Sequence, residues 1–400
     1  MIEPPQQPQR EHASLPPLPP ANRSRIALGL TAAAALGRFE LQVCGECGLV
    51  QYPPREACHH CLSAQLDWQL QSGEGELISE TTLAHSNDPF FRERVPWRQG
   101  LIRLDCGPIV IAHLHSRVGA APTRVQVSAV LDKAGQGVLV ATPHGEAFNM
   151  TDDRRLQEMT CNPASRKVLV TDAMTPGGKA LVRALAGAGA AIVWAGYIES
   201  ARPLPTFDEL ERSKRVTLLP LDITRSDSVR NAAAAIGSQV DILINNAEVH
   251  GGHGPAAGQS VEAARAEMEV NYLGLLRLAQ EFGPMLRSRR ADGQSPAVAW
   301  VNLLSVYALS NFPAHSTFCA SKAAAYSLSQ WLRGQLLPAG IRVINVFPGP
   351  QLPPDALAKA VVAALRGAAE DLYPGDPAQE YLARWRENPK ALERELAAGR

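Results

Sequence analysis

Four of the seven cysteines fall close together, as two C-x-x-C pairs: Cys44 with Cys47, and Cys58 with Cys61. A C-x-x-C turn presents two thiolates to one ion, and Zn²⁺ in structural sites prefers a tetrahedron of four such ligands. Two turns close the coordination shell and leave no open position, so the spacing predicts a structural zinc ribbon. The metal would stabilise a segment that is too small to build its own core. A redox-active C-x-x-C is the alternative, and the presence of a second pair argues against it.

The other three cysteines, Cys106, Cys161 and Cys319, are scattered. This distribution argues against a disulfide framework and favours a reducing compartment, so we expect a cytoplasmic protein. Residues 26–36 are apolar and follow two arginines, as in a signal peptide, but the stretch is too short to span a bilayer. An Ala-rich helix leading into the ribbon is the favoured interpretation.

Charge excludes some partners, because 39 Lys and Arg residues balance 39 Asp and Glu residues. No net basic field attracts nucleic acid or an acidic membrane. Nucleic-acid binding by a β-barrel would also need aromatic platforms, and the β-type runs described next are nearly free of aromatic residues.

The elements that must position these residues change character along the chain. Between about 73 and 143, short β-type runs separated by Gly, Pro and Asp indicate a small barrel. From 167 onward, apolar β-branched runs alternate with helical patterns, including those at 260–288 and 316–337, which predicts a parallel sheet covered on both faces. The predicted fold is therefore multidomain: a zinc ribbon plus an OB-fold β-barrel, then an α/β doubly wound Rossmann domain with a parallel sheet. The predicted boundaries are a Pro-rich disordered tail (1–24), helix and ribbon (25–66), barrel (67–145), linker (146–166) and Rossmann domain (167–400).

The first of these modules resembles the zinc-ribbon/OB-fold family that accompanies thiolase-like acyl-CoA enzymes. The resemblance is carried by RFELQVCGECGLVQYPPREACHHCLSAQLDWQ, GEGELISETTLAHSNDPFF and GLIRLDCGPIVIAHLHS. It implies an accessory module that docks on a thiolase-fold or hydratase partner and helps to hold an acyl-CoA.

The second half resembles the short-chain dehydrogenases/reductases. The landmarks occur in order: the strand-to-helix loop after Val170, Asp222-Ile223-Thr224, Asn245-Asn246-Ala247, Asn271, Ser305, Ala320-Ser321-Lys322 and Pro348-Gly349. Family members transfer a hydride between NAD(P) and an alcohol or carbonyl, using Asn, Ser, Tyr and Lys. The resemblance assigns remnants of that set to Asn271, Ser305 and Lys322, and it places Phe318 where the tyrosine belongs. Phenylalanine cannot exchange a proton, and such a transfer typically contributes ~10²–10⁴-fold.

The resemblance also assigns a dinucleotide site, which departs from the family pattern. Its assigned residues are Thr171, Gly178, Asp222, Asn245 and Ala247. Asp172 brings a carboxylate to the phosphate loop, Pro176 lacks an N–H, and Glu248 replaces a glycine. The second strand ends in Ala195-Gly196-Tyr197, with neither the Asp typical of NAD nor the Arg typical of NADP. We therefore expect a degenerate site at which NAD(P) binding is doubtful.

These features predict a non-catalytic accessory or scaffold subunit of an acyl-CoA-processing complex. Such a subunit is similar to the accessory subunits of the benzylsuccinate-type β-oxidation thiolase and dehydrogenase. Expected partners are a thiolase-like subunit, an active short-chain dehydrogenase subunit, or both, with homo- or hetero-oligomers formed through the helices at 260–288 and 316–337. The alternative is an active NAD(P)-dependent reductase of an acyl-CoA or related carbonyl, in which Ser305 or a water handles the proton. A third hypothesis is a small-molecule sensor, which no sequence feature supports.

Overall fold

The computed structural model describes residues 17–199, 213–251, 260–289 and 297–399. Within these residues the chain forms a zinc ribbon, a five-stranded barrel and a Rossmann domain in the predicted order. Most of the predicted tail, residues 1–16, lies outside the described residues. None of the helices in the described part is long and apolar enough to cross a membrane.

The ribbon follows a short helix, α1 (Leu28–Ala35), that confirms the Ala-rich helix predicted at 26–36. Strands β1 (Glu40–Cys44), β2 (Val50–Gln51) and β3 (Leu66–Leu70) pair antiparallel in the order β2-β1-β3. Helix α1 lies directly on the ribbon at Gly29, where an added Cβ would stand 2.1 Å from the Trp68 indole. Only a residue without a side chain allows this approach.

The five β-type runs predicted between 73 and 143 all form strands, and they close into a barrel in the order β4-β5-β6-β8-β7. On β5, Ile102 and Leu104 are buried while Leu101 and Arg103 are exposed, as the two-residue period of a strand requires. The strands are β4 (Glu74–Leu83), β5 (Trp97–Leu104), β6 (Ile109–Leu114), β7 (Thr123–Leu131) and β8 (Gly137–Pro143), with a one-turn helix α2 (Pro89–Arg92) between β4 and β5.

The segment 146–166, which the sequence suggested as a polar linker, is packed between the barrel and the Rossmann domain. It contains a 3₁₀ turn (Leu156–Met159), and its apolar side chains pack with Trp97 of the barrel and Ala368 of the Rossmann domain. The three apolar residues that make this contact, Met150, Leu156 and Met159, are six and three positions apart among polar residues. They are too few to show a helical or strand period, so the contact is not evident from the sequence.

The Rossmann domain contains a seven-stranded parallel sheet in the order β11-β10-β9-β12-β13-β14-β15. Apolar clusters cover both faces, as the continuous apolar strands predicted. The strands are β9 (Lys167–Val170), β10 (Ile192–Tyr197), β11 (Val216–Pro220), β12 (Ile242–Asn245), β13 (Ala299–Leu303), β14 (Arg342–Val346) and β15 (Asp371–Leu372).

The helices of this domain include one that the sequence presented as continuous and the structure interrupts. The pattern at 260–288 folds as α5 (Val261–Met268), a π-helical turn (Glu269–Gly274) around Asn271, and α6 (Leu275–Ser288). The sequence patterns assigned no elements beyond residue 349, where three further helices form. The remaining helices are α3 (Pro176–Gly187), α4 (Ser226–Ile236), α7 (Ser316–Leu336), α8 (Pro354–Arg366), α9 (Asp376–Glu387) and α10 (Pro389–Ala397).

Candidate functional site

The ribbon brings the four predicted cysteines together. The Sγ atoms of Cys44 and Cys61 lie 3.5 Å apart, those of Cys47 and Cys58 lie 3.7 Å apart, and all four ligand atoms fall within 4.8 Å of one another. A tetrahedron with Zn–S bonds of about 2.3 Å has edges of about 3.8 Å, so the four thiols fit a zinc ion with little rearrangement. Four protein ligands complete the shell, which makes the site structural.

Backbone amides support the thiolate form that zinc requires at Cys44 and Cys58, whose pKa values are lowered, whereas burial and the neighbouring thiols raise the pKa values of Cys47 and Cys61. Hydrogen bonding from the Cys47 and Glu46 amides lowers the pKa of Cys44 to about 7. His59 points its Nδ1 at Gln51 Oε1, 3.2 Å away, and is not part of the ligand cluster.

The loop between β9 and α3 keeps the tight turn of a phosphate-binding loop, with Gly178 as the glycine that the turn requires. Thr175 caps α3 by accepting a hydrogen bond from the Gly178 amide at 3.1 Å. The Asn246 side-chain amide donates to the Asp172 carbonyl at 2.7 Å and to Thr175 Oγ1 at 3.1 Å. At Gly178 an added Cβ would stand 2.1 Å from the Asp172 carbonyl oxygen, so the tight turn requires glycine.

Thr171, Asn245 and Ala247, all predicted for the dinucleotide site, meet beside this loop. Thr171 Oγ1 lies 3.2 Å from Asn245 Oδ1 and accepts a hydrogen bond from the Ala247 amide at 3.2 Å. The side chain of Asp172 is partly buried, and burial raises the pKa of its carboxyl group.

Asp222, the fifth predicted cofactor residue, is used locally. Its Oδ1 accepts hydrogen bonds from the Thr224 amide at 2.9 Å and from the Thr224 hydroxyl at 2.6 Å. It is not among the residues that line the cleft described next.

A cleft of about 520 Å³ opens at the carboxyl edge of the sheet, and Ser305, Phe318 and Glu248 line it. Lys322 is not among the lining residues but contacts two of them, Glu248 and Leu303, and its side chain is 2% exposed. Lys322 Nζ lies 2.7 Å from Glu248 Oε2, donates to the Leu303 carbonyl at 3.2 Å, and stands 5.5 Å from the centre of the Phe318 ring. The lysine that the resemblance assigns to chemistry is therefore neutralised by a carboxylate of its own chain.

The other two remnant residues are also satisfied by the protein. Asn271 accepts from the Val249 amide at 3.0 Å and donates to the Val249 carbonyl at 2.9 Å and to Ser321 Oγ at 2.8 Å. Ser305 donates to the Pro348 carbonyl at 3.3 Å and accepts from the Tyr307 amide at the same distance. The fold brings the assigned set together, and each member already has partners.

Three cleft residues were missed by sequence reasoning: His250, Tyr307 and His315. The His250 ring stacks on Phe318 with centroids 4.0 Å apart and planes 18° apart, and its Nε2 lies 3.0 Å from His315 Nδ1. Tyr307 packs against the rings of His315 and Phe318. Burial, together with the nearby Cys319 and Glu248, raises the pKa of Tyr307. The available signal was position alone: His250 follows β12, Tyr307 follows β13, and His315 precedes α7.

Comparison with protein families matches all three parts of the chain. Residues 166–359 match the short chain dehydrogenase family. Residues 31–67 match the ChsH2 rubredoxin-like zinc ribbon domain, and residues 68–130 match the ChsH2 C-terminal OB-fold domain.

Curated relatives match the Rossmann half. The chain is 32% identical to short-chain dehydrogenase ptmH of Penicillium ochrochloron over 210 residues, covering 48% of this chain and 71% of ptmH. It is 33% identical to short-chain dehydrogenase PC-15 of Penicillium crustosum over 175 residues, covering 39% of this chain and 60% of PC-15. The chain thus spans less than two thirds of the length of PC-15.

A solved structure agrees with these relatives. A short-chain dehydrogenase from Burkholderia cenocepacia J2315 in complex with NADP superimposes with a TM-score of 0.52 at 32% identity, covering 59% of this chain and 98% of that one. The chain belongs to the short-chain dehydrogenase family. Its Rossmann domain is fused behind ChsH2-type zinc-ribbon and OB-fold domains.

Proposed function

We propose that this chain is an accessory or scaffold subunit of an acyl-CoA-processing complex, and that its short-chain dehydrogenase half does not transfer hydride. The observation that carries the proposal is the Glu248–Lys322 ion pair beside Phe318. At this one place the chain lacks the hydroxyl that would donate a proton, and its lysine is already paired with a carboxylate.

The proton side of the argument rests on Phe318. Reduction of a carbonyl needs a proton at the oxygen as the hydride reaches the carbon, and a positioned donor supplies it. Phe318 is 2% exposed and fixed by stacking on His250, so its ring fills the place of a hydroxyl-bearing side chain.

The cofactor side rests on Glu248 and Asp172. A dinucleotide carries two phosphates, and carboxylates near its site repel it by about 1–4 kcal/mol per unit charge at 4 Å, depending on the local dielectric. Lys322 offsets Glu248 but is itself occupied, which removes a cation from the cleft. The similar short-chain dehydrogenase from Burkholderia cenocepacia was solved in complex with NADP. The affinity of this chain for NADH and NADPH is therefore the quantity that tests the proposal.

The scaffold role is supported by the way the modules join. The buried guanidinium of Arg342, on β14, donates to the Met159 carbonyl at 2.9 Å and to the Leu131 and Asp132 carbonyls at 3.0 and 3.2 Å. The Glu370 amide donates to the Ala35 carbonyl of α1 at 2.7 Å. The ChsH2-type domains suggest an acyl-CoA pathway complex. Our proposal adds a thiolase-like subunit bound on that side and a dehydrogenase subunit bound through the helices at 260–288 and 316–337.

The test is calorimetric titration of the zinc-loaded full chain with NADH and with NADPH. No binding in the micromolar range is expected, because the cleft presents an internal ion pair rather than a free lysine. Micromolar binding of either cofactor, followed by its consumption with a 3-oxoacyl-CoA, would establish the alternative of an active reductase. Ser305 and Tyr307 line the cleft and favour that alternative as sources of a substitute hydroxyl.

A further inference from the structure

We propose that a cavity between the ribbon and the barrel, which we call the ribbon–barrel cavity, binds a small carboxylic acid through Arg23 and His113. The cavity measures about 320 Å³, and it is lined by the segment that leads into α1, by the ribbon loop after β2 and by strands β5, β6 and β8. Small-molecule sites are typically clefts of about 300–1,000 Å³ with a mostly apolar lining and a few polar groups. The cavity shares no lining residue with the cleft of the Rossmann domain, so the inference goes beyond the accessory role.

The ribbon–barrel cavity lies beside the short parallel pairing of β6 and β8. The register places His113 of β6 opposite Val140 of β8, and residues that precede them on both strands line the cavity. Helix α1 closes one side, because the Gly137 amide donates to Thr31 Oγ1 at 2.9 Å. An added Cβ at Gly137 would stand 2.9 Å from the backbone of Leu30, so the helix lies directly against the start of β8. The walls are therefore fixed by contacts within the protein itself.

His113 supplies a hydrogen-bond donor whose position on the ring is fixed by the fold. The residue is 8% exposed, and the Trp97 indole Nε1 donates to His113 Nδ1 at 2.7 Å. Burial lowers the pKa of His113 to about 4, so the ring is neutral near neutral pH. Because Nδ1 accepts from Trp97, the single proton of the neutral ring is on Nε2. Within the described residues the hydrogen bonds of this side chain all involve Nδ1, which leaves the Nε2–H donor for a molecule in the cavity.

Arg23 and Tyr52 add a cation and a hydroxyl to the same cavity. The Arg23 guanidinium donates to the Pro20 and Asn22 carbonyls at 3.1 and 3.2 Å, both through Nη1, and it forms no ion pair with a carboxylate of the described residues. Burial raises the pKa of Tyr52, and the charge of Arg23 acts in the opposite direction. The phenol is therefore a neutral donor that lies close enough to the guanidinium to sense its charge.

Together these groups select a carboxylate with an apolar body. A guanidinium forms charge-assisted hydrogen bonds with a carboxylate, and the imidazole N–H and the phenol O–H can donate to its remaining lone pairs. Much of the rest of the lining is apolar, including Leu30, Leu139 and the 56% exposed Ile111, which an aliphatic chain would cover. A CoA thioester lacks the free carboxylate that these donors recognise. We therefore expect the site to take a free aliphatic acid.

The first experiment titrates the zinc-loaded full chain with sodium octanoate by calorimetry. One site of sub-millimolar affinity is expected, and octylammonium, which carries the same chain on a cationic head, should bind at least tenfold more weakly. Octanoyl-CoA should not displace octanoate, whether or not the chain binds CoA thioesters elsewhere. The proposal is overturned if octanoate does not bind, if octylammonium binds equally well, or if octanoyl-CoA displaces the acid.

Variants locate the site. Arg23→Gln removes the cation, and His113→Asn removes the Nε2–H donor while keeping a side-chain acceptor that can serve Trp97. Each should weaken octanoate binding at least tenfold, and Tyr52→Phe should weaken it several-fold. Arg25→Gln, at an exposed arginine that does not line the cavity, is the matched control and should leave binding unchanged. Octanoate binding that survives both the Arg23 and the His113 substitutions would refute the assignment.

A measurement on the wild-type chain is unaffected if His113→Asn fails to fold. A diazirine-bearing analogue of octanoate should, on irradiation, label peptides that contain residues 23–30, 52–54 or 111–113, as identified by mass spectrometry. Excess octanoate should suppress this labelling. Labelling confined to peptides beyond residue 166 would place the acid in the Rossmann domain and would contradict the proposal.

Discussion

At position 318, a phenylalanine stands where the family resemblance places the tyrosine that exchanges a proton with the substrate. The surrounding side chains are engaged with one another: His250 stacks on the phenyl ring, and Lys322 pairs with Glu248. Replacing Phe318 alone therefore does not restore the environment that an acid–base tyrosine needs.

Phe318→Tyr is the direct test of that point. We expect no turnover of NADPH with a 3-oxoacyl-CoA, measured as absorbance at the nicotinamide band, because Lys322 stays paired and the phosphate loop is unchanged. Phe282→Tyr, at a buried phenylalanine on α6, is the control for introducing a phenol. Measurable turnover in the first variant would show that the cleft was disabled by one residue only.

Glu248→Gly tests the ion pair. Removing the carboxylate leaves the buried Lys322 ammonium without its partner, and breaking a buried pair is destabilising by about 3–5 kcal/mol, with less expected here because Glu248 is 44% exposed. We expect a lower free energy of unfolding in urea, together with measurable NADPH binding by calorimetry, whereas we expect no such binding by the wild type. Glu262→Gly, an exposed residue in the first turn of α5, controls for the loss of an acidic side chain. Unchanged stability and unchanged NADPH binding would together show that the Glu248–Lys322 ion pair does not block the cofactor site.

At the scale of single elements, helix α3 shows which part of the cofactor loop survives as structure. Its first turn is fixed by the Thr175 cap and by the close approach of Gly178 to the Asp172 carbonyl, whether or not a phosphate binds there. A retained glycine in this loop is therefore explained by packing.

Gly178→Ala and Gly187→Ala form a matched pair within α3. At Gly178 the new methyl group would overlap the Asp172 carbonyl, so we expect a loss of about 1–3 kcal/mol in the free energy of unfolding. At Gly187 an added Cβ has no neighbour within 4 Å, and alanine should stabilise the helix by roughly 0.5–1 kcal/mol. Urea unfolding measures both, and equal effects would show that the turn is not constrained at Gly178.

The ribbon is the second element whose stability can be tested directly. Metal analysis of the purified chain should give one zinc per chain, and Cys58→Ser should lose it, because a hydroxyl is a poor replacement for a thiolate ligand. Cys106→Ser, a half-buried cysteine outside the cluster, should retain the zinc. A folded ribbon without metal would contradict the structural role.

On the scale of the whole molecule, the barrel and the Rossmann domain meet through a built interface. Arg342 satisfies three backbone carbonyls across it, and Trp97, Met150 and Ala368 share one apolar cluster. The two halves should therefore unfold together.

Arg342→Met tests this coupling. Methionine fills part of the volume but removes the guanidinium donor of the Met159 and Leu131 carbonyls, at a cost of about 1–3 kcal/mol each before water enters. The Asp132 carbonyl still accepts from the Gly135 amide. We expect a lower midpoint of urea unfolding and faster proteolytic cleavage within 146–166, whereas Arg287→Met at the exposed end of α6 should change neither. If the segment 146–166 of the Arg342→Met variant resists proteolysis as well as the wild type does, other contacts hold the barrel and the Rossmann domain together.

Local patterns in the sequence determined the zinc site, the barrel strands and most strands of the parallel sheet. The cysteine spacing gave the zinc site, because two C-x-x-C turns leave four thiolates little choice of arrangement. Alternating and β-branched runs predicted the barrel strands and six of the seven strands of the parallel sheet. This was possible because the side chains of a strand themselves indicate which of its faces are buried. The remnant residues Asn271, Ser305 and Lys322 were located through the family resemblance, and the fold does bring them to one edge of the sheet.

Tertiary structure alone decided the rest. The partner of Lys322, the stacking of His250 on Phe318 and the meeting of His250 with His315 join residues up to 74 positions apart in sequence (248 to 322), and no periodicity encodes such pairs. The packing of the segment 146–166 and the hydrogen bonds of Arg342 to the barrel could not be predicted, for the same reason. A side chain's partners depend on the global path of the chain, whereas its place on a strand or helix depends on its neighbours in sequence.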